Sequence, residues 1–396
     1  MLNPALVLQQ KNYIDYSSIF EILLLTFVRD NAEQQNMQKM KSASVNRPVA
    51  LWLLSGCAII YLMVVVGCIT RLTHSGLSMT DWSITGGLPP LNDTEWNQEF
   101  AKYAQSPEYK KINYFITVEE FKSIYFWEWL HRFIGRALLS GTFLIGFVWF
   151  LLRKKIQEKL LWKTSFLFAL GAAQGLIGWW MVKSGLVDNP AVSHYRLAIH
   201  LMSAFTCFAF TFWFALQLLL PPPVEISPQN LTGQKKLFPM ALGVFAAVVL
   251  QIIFGAFVAG KKAGLGFATW PKMNDEWFPS DSILIYPTWL QSLFETPAGL
   301  QWVHRTFAFV VTVLVAALWI FSNRLALPKG VVRGVSLLIY GITIQFILGV
   351  WTLLYQVPVV LGALHQTGAF FLFVSCLYLL YQLNRIPGNE KTIETA

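Results

Sequence analysis

The sequence predicts an all-α membrane protein, with eight transmembrane helices forming two pseudo-symmetric four-helix bundles and both termini cytoplasmic. Three observations predict it. Only 13% of the 396 residues are charged and 55% are hydrophobic, whereas a soluble domain carries about 25% charged residues. Eight apolar runs are long enough to cross a bilayer. The last four runs repeat motifs of the first four in the same order.

The chain divides into residues 1–48, an N-terminal extension; 49–222, a first four-helix half; 237–385, a second half; and 386–396, a tail. The extension is polar apart from Ile19 to Val28, which is too short to span. It lacks the basic start and cleavage site of a signal peptide, and its acidic residues Asp15, Glu21, Asp30 and Glu33 make a poor mitochondrial transit peptide. It reads as a cytoplasmic segment with no assigned role. The spans are expected at about 49–70, 124–152, 164–183, 195–220, 237–260, 300–322, 332–355 and 359–383. All must be helices, because lipid offers open backbone groups no partners. The second is long for one span, so its first turns are expected to project from the membrane. Lys39, Lys41, Arg47, Arg153 to Lys155, Lys235, Lys236, Arg324, Lys329, Arg333 and Arg385 all fall on one side. The positive-inside rule makes that side cytoplasmic and puts the long connections 71–123 and 261–299 outside. The net charge of +9 therefore orients the chain and implies no nucleic acid. Cys57, Cys68, Cys207 and Cys376 lie within apolar runs at no metal-binding spacing, and read as buried thiols.

The repeat is specific. Gly67, Gly76, Leu77 and Trp82 have the spacing of Gly255, Gly264, Leu265 and Trp270. Trp129, His131 and Arg132 match Trp302, His304 and Arg305. Gln174, Gly178 and Trp180 match Gln345, Gly349 and Trp351, and Ala198, His200, Ala204 and Phe205 match Ala363, His365, Ala369 and Phe370. Each half begins on the cytoplasmic side, so the repeats run parallel; this gives little support to a transporter.

The repeat pairs four of the six histidines. His131, His200, His304 and His365 all follow soon after the chain re-enters from the outer side, so their rings should share one depth. His365, for example, lies ~10 Å beyond Pro358 at 1.5 Å per residue. Two histidines on facing helices can supply both axial ligands of a haem iron. A lone membrane histidine more simply hydrogen-bonds a neighbouring helix, but two symmetric pairs at equal depth favour haem. Zinc would want further cysteine or carboxylate ligands. His74 and His194 lack repeat partners and read as ordinary polar residues. Glu128 stands three residues before His131, on the same helix face, where the second half has Gln301. A carboxylate deep in a membrane costs roughly 3 kcal/mol or more, which makes it a functional candidate; snorkelling or pairing with Arg132 is the plainer alternative. Arg71, Arg132, Arg196 and Arg305 sit at the outer ends, where they can bind haem propionates or simply snorkel. At this level a redox enzyme and a two-haem b-type electron-transfer cytochrome both explain the histidines; only the enzyme explains Glu128.

The strings TRLTHSGLSMTDW (Thr70 to Trp82), GGLPP ending at Pro90, PEYKKIN from Pro107, EEFKSIYFWEWLHRFIGR (Glu119 to Arg136) and VSHYRLAIHL (Val192 to Leu201) resemble the haem A synthase family over about residues 49 to 385. The resemblance implies an oxidoreductase that converts a ring methyl of haem O, the C8 methyl, to a formyl group by two successive hydroxylations, with oxygen from water. It implies Glu128, His131 and His200 in the active site, and His304 and His365 as ligands of a haem b that relays electrons to an acceptor it does not name. Some members carry a cysteine pair in the first outer loop; this chain has none there and is similar to the Gram-negative and mitochondrial subclass. The implied setting is the bacterial inner membrane rather than the mitochondrial one. The implied partners are haem O, a haem O synthase, oxidase-assembly factors and lipid; homo-oligomers are compatible with that list.

Overall fold

A computed structural model describes residues 47–82, 88–156, 158–187, 190–223 and 225–387. The expected extension up to residue 46, the Gly-Gly of GGLPP and the tail beyond residue 387 lie outside the described residues. The described residues from Val49 onward belong to one compact unit.

Among the described residues the fold is entirely helical apart from one isolated bridge between Met273 and Glu276. The first span is α1, Arg47–Leu72. The following connection carries α2 (Asp93–Tyr103) and α3 (Pro107–Lys111). Then come α4 (Val118–Phe133), a π-helical stretch Ile134–Gly141, and α5 (Thr142–Leu152). The remaining long helices are α6 (Glu158–Lys183), α7 (His194–Leu219) and α8 (Pro228–Gly260). Short helices α9 (Ser280–Ile283) and α10 (Trp289–Glu295) precede α11 (Pro297–Ser322), α12 (Lys329–Leu354) and α13 (Val359–Asn384).

Seven of these helices are long and apolar enough to cross a membrane. Each matches an expected span. The second expected span differs: α4, the π stretch and α5 run on from Val118 to Leu152, and the π turns divide a helix that the apolar pattern joins. Its first turns begin at a capping box, in which Thr117 and Glu120 satisfy each other's backbone N–H groups. They pack Phe121 and Tyr125 on Tyr103 of α2, with Trp96 and Phe100 around them. A second departure is α8, which starts nine residues before the apolar run, at Ser227 as N-cap and Pro228 as first helical residue. Hydropathy reads only the apolar part of such a helix.

Outward faces are apolar. Ile145, Leu176, Val313 and Val360 are 65–71% exposed, which suits lipid and not water. The largest core joins both sequence halves. Cys57, Ile60 and Val64 of α1, Phe205 and Phe208 of α7 and Val244 and Val248 of α8 meet Phe370, Phe373 and Leu377 of α13. Phe370 packs 4.6 Å from Phe208, 5.3 Å from Phe205 and 5.1 Å from Tyr61, ring centre to ring centre. All four cysteines are free thiols; Cys57, Cys207 and Cys376 are buried and Cys68 partly so.

Truncating Phe370 to Ala removes the ring shared by α1, α7 and α13, and such losses cost about 3–5 kcal/mol. Thermal unfolding in detergent should show a clear drop in midpoint, whereas Tyr340→Ala, on a face 70% exposed, should change it little.

Candidate functional site

The four repeated histidines share one local construction. Each ring lies against a glycine of the preceding long helix. A methyl group placed on Gly67 of α1 would lie 3.0 Å from Cε1 of His131, and one on Gly255 of α8 would lie 3.2 Å from Cε1 of His304. On the other pair of helices the distances are 3.1 Å from Gly178 to His200 and 2.9 Å from Gly349 to His365. Any side chain at these glycines would press on the ring, so the residue type follows from the approach.

The second-half pair is the more fully defined. The His304 and His365 rings lie 6.5 Å apart, centre to centre, at an interplanar angle of 87°. Two metal–imidazole bonds of about 2 Å each, with the two ring radii, span about 6 to 6.5 Å. The residues therefore fit one iron with imidazoles on both faces. Each ring also meets a glutamine. Gln251 Nε2 lies 3.2 Å from His304 Nδ1 and donates to the His304 carbonyl at 3.0 Å; Gln345 Nε2 lies 3.1 Å from His365 Nδ1 and donates to the His365 carbonyl at 3.0 Å. In the first half, His131 and His200 rest on Gly67 and Gly178. Their Nδ1 atoms are buried without partners. No cluster of three or more His, Cys, Asp or Glu side chains forms among the described residues.

Glu128 is buried and ion-paired. Arg132 Nε donates to Glu128 Oε1 at 2.6 Å, with both side chains about 5% exposed. Nη1 and Nη2 of Arg132 donate to the carbonyls of Asp81 and Met79 at 2.9 and 3.0 Å, and the guanidinium lies 5.1 Å from the Trp82 ring. Arg305 holds the matching loop by Thr269 and Phe267 at 2.8 and 2.6 Å. There Gln301 donates to the Phe267 carbonyl at 2.9 Å, and Arg305 Nε is left without a partner. Arg71 donates to the Ala259 carbonyl, and Arg196 to the Trp180 carbonyl while lying 4.5 Å from that ring. All four arginines expected at propionates thus also hold backbone carbonyls. His74 is exposed; His194, the first residue of α7, is buried against Tyr195 and Phe257 and beside Phe294 of the 261–299 connection.

Two features escaped the sequence reading. The glutamine contacts have a signal there: Gln-x-x-x-Gly recurs at Gln174–Gly178, Gln251–Gly255 and Gln345–Gly349, with Met63 in the fourth place before Gly67. One helical turn sets both residues on one face. The other is Glu108 on α3, buried beside the Tyr103 hydroxyl at 3.1 Å, which also accepts from Asn113. No spacing rule marks it.

Among the described residues, seven apolar helices of spanning length and two pairs of glycine-seated histidines define a helical, multi-pass membrane protein whose side chains suit haem. The chain belongs to the cytochrome oxidase assembly protein family (COX15-CtaA), whose pattern matches residues 50–377. It is 46% identical to the haem A synthase of Flavobacterium johnsoniae over 86% of this chain and 99% of that one. It is 41% identical to the haem A synthase of Nitrosospira multiformis (86% and 95% covered) and 44% identical to haem A synthase COX15 of Arabidopsis thaliana (85% and 75%).

Burial raises the Glu108 carboxyl to about 7, with Tyr103 and Lys262 opposing and the Glu128 charge adding to the rise. A carboxyl held above its unfolded value of 4.5 makes the fold bind the extra proton between those two values. The fold is then favoured at low pH and loses that advantage as pH rises through about 7. Melting midpoints taken between pH 5 and 8 should fall with pH in the wild type, and the fall should flatten in Glu108→Gln.

Proposed function

We propose that this chain oxidises the C8 methyl group of haem O to the formyl group of haem A, in the first-half site, for the assembly of haem-copper oxidases. The observation that carries the reading is the asymmetry of charge between the two sites: a buried carboxylate, Glu128, where the other has the amide of Gln301. An electron-carrying cytochrome accounts for paired histidines but gives no reason for that carboxylate, and the relatives named above are synthases.

In this reading the protein spans the membrane eight times. The α4–π–α5 run is the eighth span, and residues 49–222 and 237–385 are two related halves. The matched glycine–histidine seats and arginine–carbonyl clamps support that relation. The side bearing Arg153, Lys235 and Arg333 is cytoplasmic, and the membrane is the bacterial inner membrane. Residues 1–48 form a cytoplasmic extension and 386–396 a tail.

Each side chain then has its own role. His131 and His200 hold and orient the substrate haem O. His304 and His365 hold haem b, which when bound supplies a one-electron relay toward an acceptor outside the protein. Glu128 takes a proton from the attacking water or stabilises positive charge at the oxidised carbon; a neutral amide does either poorly. Arg132 keeps that carboxylate in place and ties it to the first loop through Met79 and Asp81. Arg71, Arg132, Arg196 and Arg305 have further N–H groups for propionates. A haem O synthase and oxidase-assembly factors are the partners that such a substrate and product require, lipid surrounds the spans, and self-association is compatible with the reading.

Replacing His304 or His365 by Ala should abolish the low-spin bis-histidine spectrum of the purified protein. Retention of the full spectrum in both variants would remove the haem b assignment. Glu128→Gln can keep the bond from Arg132 Nε and should leave that spectrum intact. Haem A in extracts should drop at least tenfold, with haem O or its hydroxylated form accumulating. Near-normal haem A from this variant would sink the catalytic role of Glu128.

A further inference from the structure

The two histidine pairs differ in how their rings are braced. In the second half each ring is held at two places, by a glycine at Cε1 and by a glutamine at Nδ1, with Gln251 and Gln345 each reaching both the ring nitrogen and the carbonyl of the same histidine. The first half keeps the glycines and lacks the second brace. At the place of Gln251 stands Met63, whose Cε is the nearest atom to a methyl group built on Gly135, so its side chain also reaches the second span but offers no N–H or amide oxygen. At the place of Gln345 stands Gln174, yet His200 Nδ1 has no partner, and neither has His131 Nδ1.

A histidine that binds iron through Nε2 carries its proton on Nδ1, and an acceptor there fixes the ring and makes the ligand more basic. Gln251 and Gln345 can serve. Their amide oxygens are buried without partners, and turning the amide about its last bond exchanges oxygen and nitrogen at nearly the same place. The turn gives up the bond to the histidine carbonyl and gains one from Nδ1–H, which iron binding polarises. No such exchange is available to a thioether at position 63.

We infer that Gln251 and Gln345 are positioning residues that make the second-half haem site a permanent one, and that Met63 and the unengaged Gln174 leave the first-half ligands unbraced so that haem there can exchange. The inference rests on the haem reading of the two histidine pairs. It accounts for a requirement of that reading: one haem must stay through every turnover, whereas a substrate must leave once it has been converted.

The test is haem loss from the purified full-length protein to excess apomyoglobin, with the bis-histidine midpoint potential recorded on the same samples. Gln251→Leu and Gln345→Leu should each speed loss of the low-spin haem by roughly tenfold or more, the scale on which outer partners of metal ligands act. They should also raise its midpoint potential, because a less basic ligand stabilises ferric iron less. Gln251→Glu, which keeps an acceptor, should hold the potential at or below the wild-type value; a merely structural role would leave the potential unmoved in all three. Met63→Gln should slow the release of protohaem added to the first-half site. If the wild type shows no bis-histidine spectrum, the haem reading itself fails. If the wild type shows it and both leucine variants match the wild type in rate and potential, the bracing role is overturned while the haem reading stands. A leucine variant purified without haem is reloaded with protohaem before measurement. Failure to take it up, with the melting midpoint unchanged, supports the brace; failure with a collapsed midpoint in both variants overturns it in favour of a packing role.

Discussion

Four histidine rings rest against four glycines, and much of the helix packing depends on those seats. At each one an imidazole lies where a side chain on the facing helix would press on it, which draws α4 to α1, α7 to α6, α11 to α8 and α13 to α12. The apolar faces of these helices would pack in many registers, since lipid is as apolar as leucine and provides no drive of its own for one arrangement. A flat polar ring that fits only over a missing side chain selects one. It also sets the depth of each ring relative to its neighbour, and so the 6.5 Å between His304 and His365.

Around these seats the two sites diverge in charge. Arg132 and Arg305 grip equivalent loop carbonyls, Met79 and Asp81 against Phe267 and Thr269. Only the first has a carboxylate to neutralise it. A buried ion pair is rarely a gain in stability over apolar packing, and the second site manages with an amide and leaves Arg305 Nε unpaired. In the proposed reading the ionic version serves chemistry, since the fold of the second site forms without it.

Most of the architecture was legible in the sequence, because hydropathy reports burial in lipid directly. The long helices and the pairing of His131 with His304 and of His200 with His365 came from apolar run length and repeated spacing. What escaped has physical reasons. The π turns at Ile134–Gly141 change backbone winding without changing hydropathy. The first turns of α8 are polar, so only their Ser-Pro start marks them. Glu128 was placed beside His131 by i, i+3 geometry; its bond to Arg132 uses i, i+4, and both spacings share a face. The arginine–carbonyl clamps depend on loop conformation, which no pattern of residue types records. Glu108 meets Tyr103 through a turn between two short helices, a contact that periodicity does not carry.

The place of α13 in the core bears on how the chain is made. Phe370, Leu372, Phe373, Cys376, Leu377, Leu379, Leu380 and Leu383 supply a large share of the buried cluster that α1, α7 and α8 also line. Tyr381 and Arg385 then tie the end of α13 to the carbonyls of Leu216, in the last turn of α7, and of Leu220 and Pro221 just after it. Translation at about 5–20 residues per second completes α13 on the order of ten to thirty seconds after α7. For that interval Phe205 and Phe208 lack the rings of Phe370 and Phe373 that they pack against in the finished fold. The pairings of α4 with α1, α7 with α6 and α11 with α8, and the cluster around Trp52, Leu53 and Phe214, need nothing from α13, so a ribosome that stops before Phe370 leaves a product with paired spans but an open central core.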